Sequence, residues 1–148
     1  APMSEAELRA LIHTAELPFV IKGVLSVTDA LKAQDLGAAG IVVSHHHGIL
    51  PYAIPPLLVL PDIVKAVGGK LKIFVDCGLN DGYDAFKALA LGADAACLGR
   101  VIMPPLQAEG APGVSAVITR ATEELRGAMA RTACGTLADL EPGLIWRV

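Results

Sequence analysis

Charge is scarce in this sequence, and so are aromatic rings. Only 18% of its 148 residues are charged and 4% are aromatic, against 53% that are hydrophobic. Twelve Lys and Arg stand against fifteen Asp and Glu, a net charge of −3, and the basic residues form no cluster. A nucleic-acid surface needs such a cluster to displace counterions, so that class of partner is not expected. No apolar run has the length of a membrane span, and the longest candidate, at 54–60, is broken by Pro55 and Pro56. The opening residues APMSE lack the charged and apolar regions of a signal peptide. Cysteine is rare too. Cys77, Cys97 and Cys134 are odd in number and share no C-x-x-C spacing. They read as reduced thiols, which sets the expectation of a cytoplasmic protein.

What is present is Ala, Val, Leu and Ile, laid out in a repeating unit of apolar run, turn and helical stretch. Ser4 and Glu7 make a capping box for a helix reaching about Ala15, and Ser26 with Asp29 opens a second that stops near Gly37. A third helix is expected over 56–67, closed by Gly68 and Gly69. Asn80 or Asp81 caps a fourth over 83–91. Apolar runs at 18–22, 40–44, 72–76 and 94–99 read as strands between them. Pro104 and Pro105 should interrupt the chain before a long helix over about 114–132.

Strands alternating with helices imply a parallel sheet, and strands this apolar need cover on both faces. The polar residues of the four runs gather at their C-terminal ends: Lys22, Ser44, Asp76 and Arg100. In βα folds that rim is where ligands bind. Four units are half of the eight that close a barrel, whose complete forms take about 250 residues. The chain is therefore expected to be a single (β/α)4 domain over 1–148. It forms either an open doubly wound sheet or half of a (β/α)8 TIM barrel completed by another polypeptide.

Several segments, in order, favour the second. PFVIKGV at 18–24 resembles a P-x-x-x-K-G-[VI] strand, and GAAGIVVS at 37–44 a G-A-x-G-I-x-V-S strand. DCGLNDG at 76–82 resembles a D-G-G-[VI]-R-x-G phosphate loop, and Leu98-Gly99-Arg100 a closing G-R. Together they resemble the FMN-dependent α-hydroxy acid dehydrogenase/oxidase family, which includes glycolate oxidase and lactate oxidase. The resemblance runs over about 17–140 and covers the C-terminal half of that family's barrel.

The resemblance implies an FMN-dependent oxidoreductase acting on a small-molecule substrate. Lys22 would lie near the flavin edge where negative charge develops on reduction. A histidine would take the substrate's proton, a role suited to a side chain that titrates near neutrality. Ungapped counting makes it His46, which we prefer, while matching the H-G dipeptide makes it His47. Three adjacent histidines on an extended segment would point alternately, so no metal site is expected. Ser44, Asp76, Gly78, Leu79, Asn80, Gly82, Gly99 and Arg100 would contact the cofactor, the glycine loop cradling its phosphate.

Two departures matter. The family follows its histidine with an arginine that clamps the substrate carboxylate, and this sequence has GILPY at 48–52 instead. Cys77 and Asn80 replace a glycine and an arginine of the phosphate loop, and Cys77 is expected to be a small packing residue. An atypical substrate is implied, or a non-catalytic half-barrel that binds phosphate or flavin. The partner would be the missing N-terminal half or a second copy, making a homo-oligomer.

Overall fold

The computed structural model describes residues 3–49 and 51–146. Four strands form one parallel sheet in the order β1-β2-β3-β4: β1 (Val20–Val24), β2 (Gly40–Val43), β3 (Lys72–Val75) and β4 (Ala95–Ala96). The order has no reversal. A doubly wound sheet needs one, so this topology is that of a barrel segment.

Helix α1 (Glu5–Thr14) opens on the capping box of Ser4 and Glu7. Helix α2 (Val27–Asp35) has its N-terminus capped by Ser26 and α3 (Pro56–Val67) ends on the left-handed Gly68. Helix α4 (Gly82–Ala90) is capped by Asp81, whose side chain accepts from the Asp84 N–H; Asn80 is not the cap. Pro104 and Pro105 do not interrupt the chain. They lie in the first turn of α5 (Met103–Glu109), where a missing N–H costs nothing, and α6 (Ala111–Arg131) follows.

One face of the sheet is sealed. Ile41, Val43, Ile73 and Val75 are almost wholly buried and pack with Ala30 and Ala33 of α2, Leu60, Ile63 and Val67 of α3, and Ala88 of α4. The alternate residues in the same strands, Val42 and Phe74, are paired in register and only half-buried. The opposite sheet face therefore carries apolar side chains without the helical cover of the first.

The strands start and stop differently from the apolar runs. β4 keeps two ladder residues of the run at 94–99. β1 continues past Lys22, with a register shift between Lys22 and Val24. Gly23 is the extra residue, at φ +98°, a bulge that only glycine enters without strain. The bulge lets Lys22 face the open side while Val24 enters the core, where it is 4% exposed.

Candidate active site at the strand ends

The C-terminal ends of β1, β2 and β3 bring four side chains into a closed ring. The Lys22 ammonium donates to Ser44 Oγ at 3.0 Å and pairs with the Asp76 carboxylate at 2.8 Å. Ser44 Oγ lies 3.3 Å from Cys77 Sγ, which donates to Asp76 Oδ1 at 2.9 Å. Donor accounting orders the protons. Ser44 Oγ already accepts from Lys22 and from the His46 N–H at 3.2 Å, so its own hydrogen points to Cys77. The thiol hydrogen then goes to Asp76. Ser44 is completely buried, and the ring satisfies its hydroxyl.

Burial pushes the Asp76 carboxyl up. Hydrogen bonds from Cys77 and Lys22, the nearby Ser44 hydroxyl and the Lys22 charge outweigh it and hold the group below the usual aspartate value. Cys97 behaves oppositely: burial first, then the Asp76 charge, push its thiol up against the opposing Lys22, so it stays neutral.

The histidines do not run along an extended segment. His46–Gly48 form a 3₁₀ turn, with His46 at φ 51° and His47 at φ 57°. The His45 Nδ1 accepts from the Gly48 N–H at 3.0 Å and closes the turn. The His47 N–H donates to Cys77 Sγ at 3.3 Å. His46 lays its imidazole over Gly23, so closely that a Cβ on Gly23 would collide with Nε2. The lysine–glycine pair of β1 thereby seats a histidine next to the lysine.

Beside the ring is a cavity of about 230 Å³ lined by His47, Asp76, the loop from Cys77 to Asn80, and Cys97 to Arg100. Gly78 and Gly99 present bare backbone there: nothing lies within 4 Å of where a Cβ on either would be. Leu79 is buried and lines the wall. Arg100 opens a 3₁₀ turn that leads into α5 and brings a cation to the rim. Exposed backbone at the third and fourth strand ends, a turn and an arginine suit a phosphate group. A flavin mononucleotide fits this donor set.

The structure does not treat every expected contact alike. Gly82 lies outside this lining, and its N–H donates to Glu124 Oε2 at 2.9 Å. Its missing side chain serves packing instead, because a Cβ would strike the α6 backbone at Ala121 and Leu125. Asn80 lines the cavity but spends one amide hydrogen on Gly78 O at 3.0 Å, and its N–H donates to Asp84 Oδ2 at 3.0 Å. Ser44 reaches the site through Lys22, His46 and Cys77. Cys77, expected as packing, belongs to the ring. Its backbone is at φ 69°, a glycine conformation, which accounts for the glycine of the motif it replaces. Cys97 lines the cavity as well.

The sequence matches the FMN-dependent dehydrogenase family over residues 1–147. It is 42% identical over 146 residues to an L-lactate oxidase from Roseobacter sp. strain GAI101, covering 98% of this chain and 39% of that protein. It is 40% identical to a peroxisomal (S)-2-hydroxyacid oxidase of Arabidopsis thaliana, covering 95% of this chain and 39% of that one. Among solved structures, mandelate oxidase with (S)-4-hydroxymandelic acid superposes with a TM-score of 0.89 at 42% identity, over 93% of this chain and 39% of that chain. A mandelate oxidase variant carrying a monooxide FMN adduct superposes equally well, with a TM-score of 0.89. The chain spans about two fifths of the length of the curated relatives it matches. The fold is that of a segment of their α/β barrel, and the chain belongs to the FMN-dependent dehydrogenase family.

Proposed function

We propose that this chain carries the base-bearing and phosphate-binding part of an FMN-dependent oxidoreductase site. The observation that carries the reading is the Lys22–Ser44–Cys77–Asp76 ring with His46 laid beside it, next to bare backbone at Gly78 and Gly99. Bound flavin mononucleotide supplies a two-electron acceptor for hydride. The chain's own residues do the rest. Lys22, held by Asp76 and Ser44, presents a fixed positive charge. His46, with His47 as the alternative, takes the proton of the substrate hydroxyl. Gly78, Leu79, Gly99 and Arg100 hold the phosphate, with Asn80 closing the loop, and Asp76 orients Lys22.

The substrate is a small hydroxy compound bound without the usual carboxylate clamp. The segment 48–55 contains no arginine, and Ile49 and Tyr52 stand there exposed. The same observation favours the second reading, a half-barrel that binds flavin or phosphate without turnover. In either reading the uncovered face around Val42 and Phe74 meets a complementary half-barrel or a second copy, the latter forming a homo-oligomer. Three free cysteines fit a cytoplasmic setting. Among the described residues no helix is long and apolar enough to cross a membrane.

The test is a titration with FMN, followed by substrate assays on the chain alone and with a complementary half-barrel from a relative. Flavin binding with oxidation of hydroxy substrates that lack a carboxylate supports the first reading. Flavin binding without any turnover supports the second. No flavin binding in either setting contradicts the first reading, and no binding of inorganic phosphate as well contradicts the second.

A further inference from the structure

Cys77 is the ring member that touches the histidine turn. It accepts from the His47 N–H at 3.3 Å and donates to Asp76 at 2.9 Å, with Ser44 at 3.3 Å on its third side. Its backbone sits at φ 69°, where a side chain is strained, and its thiol is buried. A glycine would relax the backbone there but would make none of these contacts.

We propose that Cys77 is a positioning residue, which ties the histidine turn of β2 to the carboxylate of β3 and so sets where His46, His47 and Lys22 lie. The inference rests on the reading of that mouth as the reactive site. The thiol is a two-way connector. As acceptor it fixes a turn held at two left-handed residues. As donor it turns the Asp76 carboxylate, whose other oxygen, Oδ2, pairs with Lys22 at 2.8 Å. Nothing else among the described hydrogen bonds joins the His47 backbone to β3. A chain with a smaller residue here keeps the Lys22–Asp76 pair and the Ser44 bridge from Lys22 to the His46 N–H, but loses the link from the Asp76 carboxylate to the His47 N–H.

The test uses the full chain without cofactor, comparing Cys77→Ser, Cys77→Ala and Cys77→Gly. Hydrogen exchange of the His47 amide should quicken roughly tenfold in Cys77→Ala and Cys77→Gly, and return close to the parent rate in Cys77→Ser. The Asp76 titration, followed by carboxyl NMR, should move up in the alanine and glycine variants and be restored by serine. A packing role is met by alanine and needs no donor. Parent-like exchange and titration in Cys77→Ala overturn the proposal, as does failure of serine to rescue. The glycine variant relieves the backbone strain, so its fold is the safest of the three. Flavin titration of the parent chain is a separate measurement. Absence of flavin binding with serine rescue intact removes the proposed function and leaves the positioning role standing.

Discussion

Single residues decide how the mouth is held. Gly23 is the sharpest case, because a methyl group there meets both a left-handed backbone and the His46 ring. Gly23→Ala should destabilise the chain by about 1–3 kcal/mol, read by chemical denaturation, and displace His46, read from its imidazole NMR shifts. Asp76 gives a pH signature. Its folded carboxyl lies below the ordinary value, so its contribution is complete above the range in which unfolded aspartate titrates. It vanishes as pH falls through the folded value. Asp76→Asn should therefore lower stability at pH 6–7 and flatten the acid limb of the stability curve, an effect to be read by thermal melts across pH. The lysine, serine, aspartate and arginine could be found in the sequence because each ends an apolar run. Cys77 and the histidine turn could not. A cysteine next to a motif aspartate reads as packing until its φ is known, and three histidines in a row carry no signal that the backbone turns left-handed.

Elements explain why those residues stay in register. The cap of α4 could be narrowed to two neighbours by sequence, since Asn80 and Asp81 are equally good capping types. The structure selects Asp81, because Asn80 turns back on Gly78. Asp81→Ala should cost about 1 kcal/mol in denaturant stability, whereas Asn80→Ala should cost clearly less than that. Gly82, expected from the motif as a phosphate contact, packs α4 closely against α6. Gly82→Ala would drive a methyl into the α6 backbone and should cost about 3 kcal/mol, with α4 and α6 parting first in hydrogen exchange. Strand and helix bounds depart from the apolar runs where backbone pairing, rather than composition, ends an element. β4 shows this best: six residues read as strand, and two keep the ladder.

For the whole molecule, the order β1-β2-β3-β4 was legible as alternating βα units, and its lack of reversal identifies a barrel segment. Among the described residues the sheet ends at β1 and β4, and the face around Val42 and Phe74 has no helical cover. Unpaired edges and an apolar face are liabilities for an isolated chain. The solution mass should exceed that of the 15.3 kDa monomer, or co-expression with a complementary half-barrel should give a one-to-one complex. Phe74→Asp should return that assembly to monomer, read by light scattering.

If the strand-end mouth holds a flavin with its ring edge beside Lys22 and its phosphate at Arg100, equilibrium binding of FMN to the assembled protein will reveal it. Flavin fluorescence should be quenched on binding, and Arg100→Ala should weaken that binding at least tenfold through the loss of a charge-assisted contact. Free FMN left unquenched by the assembled protein, or binding that is indifferent to Arg100, would contradict it.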